Sequence, residues 1–263
     1  VIFLYEGEGN TQPVRRNHKI RPTSNHHFFN ELAKRILQTA TRTRPHGRLF
    51  DMDSKLRATH QYAPLAISLD DYETYMNKGQ IPLWQHMGLC KARVLFGTDT
   101  AKSRIQALIV KTIAAGNQNP QLKADIYQAR LESEEGATDR NLKRFQGGTM
   151  DIEYIVQMLQ LLNGDVEDIQ QPGTLMALQK MQDHGLLNQD DTAALSKSYL
   201  FLRRVESGLR LMDTTHRHDL PDQSLELEKL ASLLGYESPQ SLVTVCRRYR
   251  LENRHRFEKI FRR

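Results

Sequence analysis

The chain has 263 residues, 39% of them hydrophobic and 26% charged, with a net charge of +6 and a pI near 9.3. It is long enough to bury a sizeable core in one or two domains, and its makeup is that of an ordinary soluble protein. No apolar run approaches the roughly 20 residues that span a bilayer and no signal-peptide pattern opens the chain, so no membrane partner and a cytoplasmic location are expected. Only Cys90 and Cys246 occur, far apart and without metal-ligand spacing, which fits a reducing compartment. Much of the positive excess lies in residues 246–263, "CRRYRLENRHRFEKIFRR", readable as a solvated helix face, a patch for an anionic partner or a charged tail. No zinc-finger, RNA-recognition or helix-turn-helix signature accompanies it, so nucleic acid is not the expected partner.

Residues 1–5, "VIFLY", read as a core strand that begins without a preceding turn, as though taken from inside a larger fold. A polar loop follows. Ser24 or Asn25 can cap a helix over about 27–40, with Phe28, Leu32, Ile36 and Leu37 as its apolar stripe. "GRLFDMDSKLR" alternates, putting Leu49, Asp51, Asp53 and Lys55 on one face of an expected strand. "APLAISL" reads as another strand, and Asp70 or Asp71 as the cap of a helix through Tyr75. A further helix starts near Pro82 and carries "LWQHMGLCKARVLFG". From Ser103 onward the pattern is helical, with breaks at 116–120, 136, 147–148, 163–173, 185 and 213–221. The predicted fold is α+β, a mixed sheet-and-helix part over 1–115 and an all-helical part over 116–263.

Asp53 is the leading candidate for chemistry. A carboxylate beside Lys55 and Arg57 on one strand face suits a divalent cation and a triphosphate, since hard oxygens bind magnesium and cations bind phosphate oxygens. The competing reading is an exposed strand with cross-strand ion pairs. In "QGGTMDIEYIVQ" two glycines and two acids run into an apolar-periodic helix, with Ile152, Ile155, Val156, Leu159 and Leu162 as one stripe and Glu153, Gln157 and Gln160 as another. Asp151 and Glu153 stand two residues apart and face different ways, so they are not a paired-carboxylate site. Asp151 reads as first-turn compensation of the helix dipole and Glu153 as the acid facing a cleft. His26, His27, His216 and His218 read as exposed histidines, Trp84 as a packing anchor, and Leu200, Leu202, Val205, Leu209 and Met212 as core beside solvent-facing Arg203, Arg204 and Arg210.

Taken in order, "GRLFDMDSKLR", "PLAISLDDYETYM", "WQHMGLCKARVLFG", "GGTMDIEYIVQMLQLL" and "YLFLRRVESGLRLM" resemble the glutamine-synthetase adenylyltransferase family across nearly the whole chain. The resemblance implies a nucleotidyltransferase-type sheet followed by a helical bundle. It implies transfer of AMP to, or removal from, a tyrosine of glutamine synthetase, with magnesium and ATP as cofactors and a PII-type signalling protein as a further partner. Carried over by residue, Asp53 becomes the third metal-binding and catalytic carboxylate. Lys55, Arg57, Lys91 and Arg93 become nucleotide contacts, and Glu153 a catalytic acid. The family's Gly-Ser-Asp-x-Asp motif would lie immediately before Val1. The chain departs from the pattern at Ala58 for proline, His60 for glycine, Gln85 for glutamate and Ala129 for methionine. Those departures frame the other reading, a degenerate half that acts as a binding module.

Overall fold

A computed structural model describes residues 1–12, 21–42, 52–54, 64–78, 81–166, 168–212, 218–222 and 224–262. The chain divides into two compact units, the first Val1–Gln85 with Val94–Leu108, the second His86–Arg93 with Ile109–Arg263. The molecule is mostly helical, with a small two-stranded parallel sheet among the described residues. None of its described helices is long and apolar enough to cross a membrane.

In the first unit, β1 (Phe3–Tyr5) pairs in parallel with β2 (Ala66–Ser68), Phe3 opposite Ala66 and Tyr5 opposite Ser68. The intervening α1 (Asn25–Thr41) starts where expected, because the Ser24 hydroxyl accepts from the His27 amide at 3.2 Å. Its buried face differs from the expected one. Ala33 is buried and Phe29 stacks on Tyr5 at 4.9 Å, while Phe28, Leu32 and Ile36 are each about 40% exposed. The reason is Asn30, whose amide donates to the Ala66 carbonyl at 3.0 Å and accepts from the Ala66 amide at 3.1 Å. That pair of bonds fixes the roll of the helix against β2, one residue round from the apolar stripe.

The next helix, α2 (Leu69–Asn77), is capped by Ser68 rather than by Asp70 or Asp71. The Ser68 hydroxyl accepts from the Asp71 amide at 3.1 Å and donates to the Asp71 carboxylate at 2.6 Å, a reciprocal capping arrangement. Leu69, Tyr72 and Met76 form its buried side, and burial pushes the Tyr72 phenol up to about 12. Of the expected strand around Asp53, residues 52–54 carry no regular structure, and the remainder lies outside the described residues.

Helix α3 (Leu83–Leu89) is much shorter than expected. Turn bonds from Lys91 N to the Gly88 carbonyl and from Ala92 N to the Leu89 carbonyl end it before "CKARVLFG". Trp84 is 53% exposed, which removes it as a buried anchor. Helix α4 (Asp99–Ala114) starts four residues before the expected Ser103 and runs into a 3-10 turn, Ala115–Gln118.

The second unit is built from α5 (Leu122–Glu134), α6 (Thr149–Leu162), α7 (Thr174–Asp183), α8 (Gln189–Met212), α9 (Ser224–Leu234) and α10 (Pro239–Arg262). Breaks between them match the glycine and proline positions, with one addition: Gly235, at φ +80°, separates α9 from α10. Leu202, Val205 and Leu209 of α8 pack with Leu230 and Leu234 of α9 and Leu242 and Cys246 of α10. Leu200, expected in that core, is 56% exposed.

Candidate functional site

Helix α6 threads the second unit and is buried nearly all round. Ile152, Ile155, Val156, Met158, Leu159 and Leu161 are buried, but so are Gln157 and Gln160. The supposed polar stripe is internal, because the Gln160 amide donates to the carbonyls of Ile169 at 3.1 Å and Gln171 at 2.9 Å and so closes the loop that follows. Ahead of α6, Gly147 has a φ of +74°, and a Cβ there would fall 1.8 Å from the Arg250 carbonyl oxygen. A Cβ on Gly148 would fall 2.4 Å from the Lys143 carbonyl oxygen. The double glycine thus lets α10 and the turn after Leu142 come against the start of α6, and Asn253 locks the contact by donating to the Gly147 carbonyl at 2.8 Å.

Asp151, one turn in, is fully buried. Its carboxylate accepts from the Gly147 amide at 2.9 Å and faces the Arg130 guanidinium at 2.5 Å, an ion pair without a well-directed hydrogen bond between those two atoms. Arg254 of α10 stands 3.6 Å away and pairs with Glu134, while its other end meets Glu258 at 2.8 Å. Arg130 is itself fully buried and also donates to the Ser133 hydroxyl and to the carbonyls of Arg144 and Phe145. Burial pushes the Asp151 carboxyl above its ordinary range, against the pull of Arg130 and Arg254. This acid does more than offset a helix dipole: it ties α5, α6 and α10 together from the inside.

Glu153 points the other way, as residues two apart on a helix must. Its Oε2 meets the Lys91 ammonium at 2.8 Å, and its Oε1 accepts from the Tyr199 hydroxyl at 3.0 Å. The Thr174 hydroxyl reaches the Tyr199 oxygen at 3.4 Å. Segment 86–93 and α8 therefore meet α6 at one carboxylate, and α7 joins them through the Tyr199 phenol. Glu153 has 18% of its side chain exposed and Lys91 36%, so the cluster keeps an open edge. Burial, and next the negative charge of Glu153, raise the Tyr199 phenol above its ordinary value.

Of the expected site residues, Lys91 and Glu153 are brought together. Arg93 is exposed in the same unit. Asp53 is exposed in the first unit, its carbonyl accepting from the Val1 nitrogen at 2.5 Å, beside the start of β1. Lys55 and Arg57 lie outside the described residues. The sequence places Tyr199 only within a helical run, and no spacing in it pairs this tyrosine with a residue 46 positions away. Nor does any spacing reveal Arg130 as the partner of Asp151. Two expectations for solvent-facing groups change: His218 meets Glu206 at 3.2 Å, and Arg203 meets the same buried carboxylate at 2.6 Å. These partners hold the Glu206 carboxyl below its ordinary range although burial opposes them. The basic run in α10 is partly consumed within the protein, since Arg254 serves Asp151 and Lys259 pairs with buried Asp191 at 3.0 Å.

Comparison with known proteins agrees with this layout. Residues 1–108 match the family model for glutamate-ammonia ligase adenylyltransferase, and residues 121–263 match that for GlnD PII-uridylyltransferase. Curated relatives named bifunctional glutamine synthetase adenylyltransferase/adenylyl-removing enzyme match over most of the chain. The chain belongs to the glutamine-synthetase adenylyltransferase family. The relative from Ralstonia nicotianae is 28% identical over 99% of this chain and 29% of its own length. That from Aromatoleum aromaticum is 29% identical over 99% and 27%, and that from Bordetella pertussis 30% over 90% and 26%. The chain thus spans less than a third of the length of these relatives. Both stretches that hold the Glu153 cluster fall inside matched regions, Lys91 in the first and Glu153, Thr174 and Tyr199 in the second.

Proposed function

We propose that this chain is part of a nucleotidyltransferase that adds AMP to, or removes it from, a tyrosine of glutamine synthetase, with magnesium and ATP. On this reading the sheet unit is the later part of a nucleotidyltransferase-type domain, and the helical unit a bundle that carries Lys91. The observation that supports it most directly is the Lys91–Glu153 pair. It gives a cation in a matched segment a fixed carboxylate partner while leaving its edge open.

Nucleotidyl transfer asks the protein chiefly to place phosphates and to offset their charge. The Lys91 ammonium has three N–H donors; one serves Glu153 and the others are available to phosphate oxygens. Glu153 holds that ammonium in place. Asp53, exposed and carboxylate-bearing, is the group that would contribute to holding magnesium, which when bound neutralises phosphate charge. Among the described residues no group of three or more His, Cys, Asp or Glu side chains could hold a metal ion, so they do not make a complete cation site.

The departures from the family pattern at Ala58, Gln85 and Ala129 favour a second reading, a half that binds glutamine synthetase or a PII-type protein without catalysis. AMP transfer by the whole enzyme separates the two. The Asp53→Asn variant is expected to lose transfer while melting like the wild type. Wild-type transfer by that variant would remove Asp53 from the site. Failure of the unaltered enzyme to bind magnesium-ATP in calorimetry would favour the binding module.

A further inference from the structure

We infer that Tyr199 is a positioning residue for Lys91, acting through Glu153. The inference rests on the proposed role of Lys91 as a phosphate contact, and its physical basis is the way each atom of the cluster is used. Glu153 has two carboxylate oxygens and each has one donor, Lys91 on Oε2 and Tyr199 on Oε1. With both oxygens engaged, the carboxylate is held against rotation about its last bond. Tyr199 is fixed in turn, since its hydroxyl donates to Glu153 and faces the Thr174 hydroxyl at the first residue of α7.

Lys91 needs such support. It follows α3 in a turn held by backbone bonds from Lys91 and Ala92, and no helix directs its side chain. A lysine on a turn samples many rotamers, and ordering it only when an anion arrives weakens binding. The Glu153 carboxylate fixes the ammonium beforehand and leaves it partly open to solvent. A phenylalanine at position 199 would supply the same ring to the α6–α8 interface. The hydroxyl is therefore the informative atom, because a half-buried phenol costs desolvation unless it is partnered.

The experiment uses the full-length enzyme and the Tyr199→Phe variant, with two readouts. The first is the rate at which acetic anhydride modifies the Lys91 amine, followed by peptide mass spectrometry and independent of any activity. The second is steady-state kinetics with ATP. Loss of the hydroxyl should raise Lys91 modification several-fold and raise KM for ATP about tenfold while kcat changes little, the scale of one hydrogen bond to a charged group. Unchanged Lys91 modification in a variant that melts like the wild type would overturn the positioning role. Faster modification with unchanged KM would uphold the positioning and overturn the assignment of Lys91 to phosphate. Should Tyr199→Phe melt early, Thr174→Val, which loosens the same phenol from its other side, is expected to give a smaller shift in the same direction. No shift in that variant would count against the chain of contacts.

Discussion

Asp151 and Glu153 flank Ile152 on the same helical turn, yet the protein surrounds them differently. Asp151 is sealed among Arg130, Arg254 and the Gly147 amide with no exposed surface. Glu153 keeps a wet edge and takes an ammonium and a phenol as partners. A charge taken wholly out of water is costly to leave alone, so the first cluster is bound up with stability. A charge left near water contributes little to stability but can exchange partners, so the second is suited to meeting a ligand. The difference teaches that two acids in one motif need not share one role, and that burial together with the type of partner separates the roles.

The largest expected effect comes from breaking the sealed cluster. Arg130→Ala leaves Asp151 buried with only the more distant Arg254, and should cost about 3–5 kcal/mol in urea denaturation. Replacing both partners, as Arg130→Met with Asp151→Leu, should recover part of that loss, because the uncompensated charge is gone. A single variant that unfolds at the wild-type midpoint would show that the pair is not sealed in solution.

Gly147→Ala tests the packing that seals it. The methyl would collide with the Arg250 carbonyl, and the positive φ is poorly tolerated by alanine. Backbone conformation alone costs about 1–3 kcal/mol at such a position, and displacement of α10 adds to it. Asn253 and Arg254 follow Arg250 on α10, so the variant should also expose the Asp151 region. Faster amide exchange at Gly147 and Asp151 would report it. Exchange unchanged from the wild type would mean that α10 does not press on this turn.

Much of the local structure was legible from sequence because it depends on neighbours in the chain. Ser24 before an apolar-periodic run marked the start of α1, and glycines marked most of the helix breaks in the second unit. That Asp151 and Glu153 face apart followed from helical geometry alone. What escaped was the inward use of polar residues whose partners are distant in sequence. Asn30 sets the roll of α1 through Ala66, Gln160 closes a loop from within the core, and Arg130 is fully buried although its side chain is among the most polar. Hydrophobic periodicity assigns such residues to solvent. Tyr199 escaped for the opposite reason, since a tyrosine in an apolar helical run fits a core reading until its hydroxyl is traced to Glu153.

The smallest expected effect is also the most direct probe of the open cluster. Because Lys91 and Glu153 both reach solvent, Glu153→Gln should change stability by about 0–1 kcal/mol, in contrast to Arg130→Ala. It should nevertheless move the Tyr199 titration. Burial raises the phenol above its ordinary 10.0 and the Glu153 charge raises it further, so removing the charge should bring the midpoint down while burial keeps it above 10.0. The difference in ultraviolet absorbance between each protein and its Tyr199→Phe counterpart isolates this one phenol. The linkage has a definite sign: with the folded pKa raised, the phenol's contribution to stability is full below pH 10 and is lost as pH climbs through the folded value. Tyr199→Phe should therefore lose less stability than the wild type over that alkaline range. A titration that Glu153→Gln leaves unmoved would mean that the phenol does not rest on the carboxylate in solution. Lys91 would then lose the support that the open cluster is inferred to give it, while the sealed cluster around Asp151 would stand unaffected.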